Sequence, residues 1–368
     1  MNGMRRLFAA ALVIVCAPLH AAGISEPKVA EIERLVKAFM AANKIPGLSI
    51  AVVADGAVQW SNGYGLADVE NAVPATATTL YRSASIGKTM TATAAMQLVE
   101  AKKLDLRGDI RDSCPAFPAK PWRITPWNLL THTSGIRHYG GPHDLEEQFS
   151  AVHYASVAAA MAPFKDDPLL FEPGTKFSYS TYGFDVLGCV VEGAAATPFL
   201  TYMHDRVWVP ANMTSTRDDD PAAIVPHRAA KYTVIEGRMQ NAPAIDMSNR
   251  LPAGGYLTTA VDLGRFIEAL LDERLVKRST LDAMTTPARL PSGETVPYGL
   301  GWGVETEEWH GDRWVYHGGS SPGASGFLAM MPKHRFGVVF LTNLENLVGR
   351  PELAEDIARV VLDFGPRK

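Results

Sequence analysis

Apolar residues recur at helical spacing near both ends of this chain and alternate or run unbroken between them. Val29, Ile32, Val36, Phe39 and Met40 share one face, which predicts an amphipathic helix over Pro27 to Ala42. Leu48 to Ala54 and Ala57 to Tyr64 read as strands, with Asp55-Gly56 as a hairpin turn between them. From Ser85 to about Leu104 the pattern is helical, and its first half is nearly all apolar or small, as expected of a buried helix. Thr259 stands as the N-cap of a helix through Leu271. Tyr298 to Glu305 and Trp314 to His317 are strand candidates. Phe327 to Met331 and Gly337 to Leu341 form a second hairpin, turned by Pro332-Lys333-His334-Arg335. Leu353, Ile357, Val360, Val361 and Phe364 line one face of a last helix.

Between these halves the character changes. Residues 109–249 are rich in Pro, His and short helical pieces: Trp127 to Thr131, Tyr182 to Glu192 and Phe199 to Val207. Residues 137–170 read as a mobile, lid-like insertion with a helical patch at Val157 to Met161. Hairpins at both ends, with a helix at each terminus, predict one antiparallel sheet closed by the two termini. The fold class is thus α/β (α+β). Its sheet-bearing part covers about 23–108 and 250–368, and a helical part covers about 109–249 of a single 23–368 domain.

The chain has 368 residues, 47% hydrophobic and 20% charged, which gives ample length for a large core. A net charge of −4 lacks the basic bias of a nucleic-acid binder. Arg5 and Arg6 precede an apolar run from Leu7 to Ala17, with small residues at Ala21 and Ala22, so residues 1–22 read as a cleaved export signal. A periplasmic or secreted protein is expected, with no membrane span once the signal is removed. Cys16 lies in that signal. Cys114 and Cys189 could bridge in an exported protein, but two separated cysteines are more often free and buried, and sequence does not decide between these.

Ser85-Ile86-Gly87-Lys88 carries the chemistry. A serine and a lysine three residues apart share a helix face. A hydroxyl attacks only when a base takes its proton, and a lysine in apolar surroundings loses enough charge preference to help. Ser25-Glu26-Pro27-Lys28 has the same spacing, but there Ser25 reads as an N-cap in polar surroundings. Two segments strengthen the case for Ser85: Phe177-Ser178-Tyr179-Ser180-Thr181 after the turn Pro173-Gly174, and His317-Gly318-Gly319-Ser320 on a strand. Taken singly, Tyr179 reads as a core residue and His317 as a half-buried strand histidine.

In this order the three segments resemble the serine β-lactamase and penicillin-binding-protein superfamily, on its class C side. Leu129-Leu130-Thr131-His132-Thr133-Ser134-Gly135-Ile136, Pro252-Ala253-Gly254-Gly255-Tyr256 and Tyr298-Gly299-Leu300-Gly301-Trp302 match it too. Ala67-Asp68-Val69-Glu70-Asn71, Ser134 to Tyr139, Phe164 to Pro168 and the variant Tyr179-Ser180-Thr181 are similar to the LACTB-like branch. The resemblance implies a β-lactamase/transpeptidase-like fold and acyl transfer through Ser85, with Lys88 and Tyr179. A phenol beside an ammonium would have its pKa pulled down, which suits Tyr179 to a proton shuttle. The resemblance also implies an oxyanion hole from the backbone N–H groups of Ser85 and Ser320. Thr181, His317, Gly318 and Gly319 would contact the substrate. Thr181 replaces a family asparagine, and His317 replaces a permanently charged lysine, which weakens the case for β-lactam or carboxypeptidase action. No acidic residue stands out for deacylation, which leaves that step to Tyr179.

The expected activity is a LACTB-like peptidase or esterase on a small-molecule or peptide substrate, with a β-lactamase or D-alanyl-D-alanine carboxypeptidase as the alternative. A penicillin-binding sensor without turnover, or a filament-forming structural protein, is the reading from another class. Self-association into a homo-oligomer is compatible with each. No cofactor or metal is expected: His132, His138, His143 and His153 lack ligand spacing and read as loop polarity. Gly319-Ser320-Ser321-Pro322-Gly323 fits Gly-x-Ser-x-Gly, but Pro322 disfavours the strand-to-helix elbow. Gly87-Lys88-Thr89 resembles a phosphate-binding loop whose first glycine is replaced by Arg82.

Overall fold

The computed structural model describes residues 23–140 and 144–365. The export segment, Cys16 and His143 lie outside the described residues. Helix α1 (Glu26–Asn43) leads into β1 (Gly47–Ala54), β2 (Ala57–Asp68) and a short β3 (Val73–Pro74). Helix α2 (Gly87–Glu100) follows, then α3 (Thr181–Ala195) and α4 (Ala260–Leu271). The chain closes with β4 (Gly303–Trp309), β5 (Asp312–Ser321), β6 (Ala324–Met331), β7 (Phe336–Thr342) and α5 (Arg350–Val361). The sheet order is β3-β2-β1-β7-β6-β5-β4, and every pairing is antiparallel. Strand β1 pairs with β7 from Leu48↔Thr342 to Val53↔Gly337, so the two ends of the chain close one sheet, as the hairpin pattern predicts.

Both faces of that sheet are covered, which explains why the central strands are apolar runs rather than alternations. Leu48, Ile50 and Val52 pack with Ile32, Val36 and Phe39 of α1 and with Leu353, Ile357 and Val361 of α5. Ala51 and Val53 point the other way, into a second core with Leu263, Phe266, Ile267 and Leu270 of α4. Buried α2 lies in this second core, between the sheet and the helical region.

Some sequence expectations change in detail. Ser85 sits in a 3₁₀ turn, Ala84–Ile86, and the α-helix begins only at Gly87. The strand expected from Tyr298 starts at Gly303, because Gly301 turns the chain at φ +86°. Thr259 does cap α4, accepting from the Asp262 N–H. Cys114 and Cys189, whose state the sequence leaves open, are bonded to each other, joining the loop near Ser113 to α3. The 137–170 insertion is anchored at its centre. Arg137 reaches Glu147 at 2.7 Å and Asp167 at 2.6 Å, and the Tyr182 hydroxyl donates to Glu147 at 2.6 Å. Phe164 stacks on the Tyr182 ring at 4.1 Å, so an apolar contact supports the ionic one. Among the described residues no single helix is long and apolar enough to cross a membrane.

Candidate active site

A cavity of about 400 Å³ opens where the first turn of α2, the start of α3 and the end of β5 meet, and Ser85, Tyr179, Thr181 and Ser320 line it. Ser85 is partly exposed there, whereas Lys88 beneath it is fully buried. Lys88 Nζ lies 3.0 Å from Ser85 Oγ, 3.2 Å from Thr181 Oγ1 and 3.3 Å from the Ala253 carbonyl oxygen. Burial pulls the lysine down to about 7; Asp185 opposes that fall and Arg250 adds to it. As a neutral amine Lys88 has two N–H donors and one lone pair. The Ala253 carbonyl can only accept, and Thr181 Oγ1 takes the second donor. The lone pair is then left facing the Ser85 hydroxyl.

Tyr179 precedes the N-cap of α3. Ser180 Oγ accepts from Gly183 N–H at 3.0 Å and donates to the Arg137 carbonyl at 2.8 Å, fixing the backbone that carries the phenol. The Tyr179 hydroxyl is hydrogen-bonded to Ser85, and its ring centre is 5.0 Å from Lys88 Nζ. The alcohol, the amine and the phenol therefore converge. The expected acidification of the phenol is not found: burial outweighs everything else and pushes the Tyr179 pKa up. Tyr179 is thus built to stay a proton donor.

The backbone around Ser85 is held by close approaches. Ala84 has φ +45°, a left-handed conformation that costs free energy and points the following residue into the cavity. A Cβ on Gly254 would lie 1.8 Å from the Ala84 carbonyl oxygen, so only glycine lets that segment pass. A Cβ on Gly319 would lie 2.6 Å from the Ser83 carbonyl oxygen and 3.3 Å from Ser85 N. Gly319 therefore brings β5 against the 3₁₀ turn and sets the Ser320 backbone beside that of Ser85. Arg350 secures the strand from behind, donating to the Gly319 carbonyl at 2.6 Å.

His317 lies off the cavity wall, 5% exposed. Its Nδ1 is 2.7 Å from the Gly318 carbonyl oxygen, which can only accept, so Nδ1 carries the proton and Nε2 accepts from the Tyr298 hydroxyl at 2.8 Å. Burial drives its pKa down to about 3, so the ring is neutral and offers no charge to a substrate carboxylate. Gly318 and Gly319 are not among the cavity-lining residues either; Gly319 contributes the close backbone packing, whereas Gly318 faces the Arg350 side chain.

Four contributors escape the sequence reading. His132, grouped there with polar loop histidines, is 1% exposed and packs 4.2 Å from the Tyr179 ring, with Nδ1 accepting from Ser180 N–H at 3.1 Å. His138 Nδ1 accepts from Thr181 N–H at 3.2 Å. Arg250 lines the cavity, its guanidinium donating to the Glu147 carbonyl at 2.7 Å and the Gln148 carbonyl at 2.8 Å. Asp185 is fully buried on α3, near Lys88. The place of His132 and His138 inside the family-like segments Leu129 to Ile136 and Ser134 to Tyr139 was the available signal.

The same arrangement of elements recurs elsewhere. The chain is 28% identical to the human mitochondrial serine beta-lactamase-like protein LACTB over 380 residues, which covers 78% of this chain and 69% of that protein. It superposes on the octameric penicillin-binding protein homologue from Pyrococcus abyssi with a TM-score of 0.80 at 25% identity, covering 92% of this chain and 78% of the other. It shares its fold with a beta-lactamase/D-alanine carboxypeptidase from Pseudomonas syringae, with a TM-score of 0.74 at 23% identity, covering 93% and 100% of the two chains. The Beta-lactamase family profile matches residues 32–362, which takes in the serine-lysine turn, the tyrosine segment and the closing strands. The chain belongs to the β-lactamase family, a family of serine hydrolases with a large antiparallel sheet, terminal helices and a helical subdomain.

Proposed function

We propose that this chain is an exported serine hydrolase that cleaves ester or amide bonds through an acyl-Ser85 intermediate. The observation that carries the reading is the buried Lys88 amine, 3.0 Å from Ser85 Oγ and drawn to about 7 by burial. Lys88 accepts the Ser85 proton as Oγ attacks the acyl carbon. The N–H groups of Ser85 and Ser320 take the oxyanion charge. Tyr179, still protonated, gives its proton to the leaving group as the carbon–heteroatom bond breaks, and Lys88 then passes the proton taken from Ser85 to the phenolate. Water then repeats the sequence in reverse on the ester, and Ser85 regains its hydrogen.

A neutral, buried His317 favours substrates without a free carboxylate beside the scissile bond, as expected of an esterase or endopeptidase rather than a wall carboxypeptidase. The cystine Cys114–Cys189 supports an oxidising compartment and so agrees with export. Self-association belongs to the same proposal, because a homologue of this fold is described as octameric; size-exclusion chromatography with light scattering tests it.

The decisive experiment pairs a fluorophosphonate probe with p-nitrophenyl esters, nitrocefin and fluorogenic peptides. Ser85→Ala abolishes labelling and turnover, while Ser321→Ala keeps both. Labelling that persists in Ser85→Ala overturns the reading. Labelling without turnover on any substrate class favours a sensor.

A further inference from the structure

Among the described residues, Asp185 is the acidic side chain fully buried near the Ser85–Lys88 pair that the proposed mechanism does not use. It lies on α3, one turn beyond Thr181, the residue whose hydroxyl meets Lys88 Nζ at 3.2 Å. Positions four apart on a helix share a face, so Asp185 lies on the Thr181 side of α3. The residue is 0% exposed, and neither carboxyl oxygen has a hydrogen-bond partner. The Ala253 backbone N–H gives the charged form partial relief without completing a hydrogen bond.

An ionised carboxylate in that position needs a cation, since burial without hydrogen bonds strongly disfavours the charge. Two cations are close enough to act on it, Lys88 and Arg250. Arg250 directs its guanidinium elsewhere, to Asn249 Oδ1 and to the Glu147 and Gln148 carbonyls. The other titratable groups around the pair are Tyr139, Tyr256 and Tyr179, with His132 and His317 on the Lys88 side. Burial raises all three phenols and lowers both imidazoles, so these five are neutral near pH 7. Lys88 is left as the titrating group whose charge is coupled to that of Asp185.

We propose that Asp185 is a positioning residue that shares one proton with Lys88, so that the two buried groups titrate as a unit and Asp185 keeps the lysine's ionisation close to neutrality. This rests on the reading of Lys88 as the base for Ser85. Burial raises the Asp185 pKa well above the ordinary carboxylate range, while the Lys88 charge opposes the rise, as expected of such a pair. Without Asp185, burial and Arg250 act on Lys88 unopposed, and the amine loses its proton at lower pH.

The test is the pH dependence of fluorophosphonate labelling of the full chain, wild type against Asp185→Asn, between about pH 5 and 9. The acid limb of the variant moves down by roughly one pH unit, so its rate at pH 6, relative to its own plateau, rises roughly fivefold over wild type. A limb with an unchanged midpoint, whatever the plateau, overturns the proposal, because a purely structural role changes amplitude alone. If Asp185→Asn does not fold, carbon-13 aspartate NMR of the wild-type chain reads the same point. One carboxyl titrating alongside the labelling limb supports the sharing; every aspartate completing its titration in the ordinary carboxylate range overturns it. Full activity in Ser85→Ala would remove the functional reading itself. Loss of activity there, with an unmoved limb in Asp185→Asn, removes only this inference.

Discussion

At the scale of single residues the site is governed by desolvation. Lys88, Tyr179 and His317 are each driven toward the neutral form, and that decides which of them accepts a proton and which donates one. Activity rises with pH through about 7 as Lys88 becomes free to accept. Tyr179→Phe slows acylation by alkyl esters and amides by about 10²-fold or more, but acylation by p-nitrophenyl esters, read as the pre-steady-state burst, far less, because their leaving group needs no proton. Equal losses of acylation rate on both substrate types would reject Tyr179 as the donor. His317 ties stability to pH. Its folded-state pKa, about 3, lies below the ordinary 6.5, so between those values the unfolded chain binds a proton that the folded chain refuses. Stability from this group is complete above 6.5 and falls as the pH drops toward 3, by about 1.4 kcal/mol per pH unit. Denaturant melts of His317→Gln show a shallower acid slope; an identical slope would contradict the assignment. The types Ser85, Lys88 and Tyr179 could be picked out by order and spacing. Their protonation states could not, because desolvation is a property of what surrounds a side chain.

At the scale of elements, the site depends on a strand pressed against a turn. Gly319 permits that contact, and no spacing in the sequence reveals how close it is. Gly319→Ala places a methyl group 2.6 Å from the Ser83 carbonyl oxygen, so β5 must retreat from Ser85. Acylation then falls about 10²-fold or more through the displaced Ser320 N–H, while far-UV circular dichroism stays native. A normal acylation rate would show that the contact does not position the oxyanion donors. The helices and hairpins were legible because their periodicities are local: α1, β1, β2, α4, β6, β7 and α5 all fall close to where the pattern puts them. The turn holding Ser85 was not, since the 3₁₀ geometry and the left-handed Ala84 are imposed by Gly254 and Gly319 from distant segments. The 137–170 insertion misled for a similar reason. Its anchor, Arg137 with Glu147 and Asp167, joins charged residues that look solvated when read in line.

At the scale of the whole molecule, closure joins the N-terminal and C-terminal parts in one sheet, while the cystine pins the helical region to itself. Cys114 and Cys189 are 75 positions apart, so reducing the bond restores substantial chain entropy to the unfolded state. Reduction lowers stability by about 2–4 kcal/mol, read as a drop in denaturant midpoint with and without dithiothreitol. An unchanged midpoint, with free thiols confirmed, would mean that packing alone holds the region. Legible in the chain alone were the sheet with its terminal helices, the order of the serine, lysine and tyrosine segments, and the family likeness. These depend on residue type and short-range periodicity, which the chain carries wherever it folds. The desolvation of Lys88 and Tyr179, the place of His317 off the cavity wall, the packing of His132 on the phenol, the cystine and the burial of Asp185 near the lysine appear only in the folded chain. Those outcomes depend on which distant groups exclude water from one another, and that is fixed only when the sheet closes and the helical region packs against it.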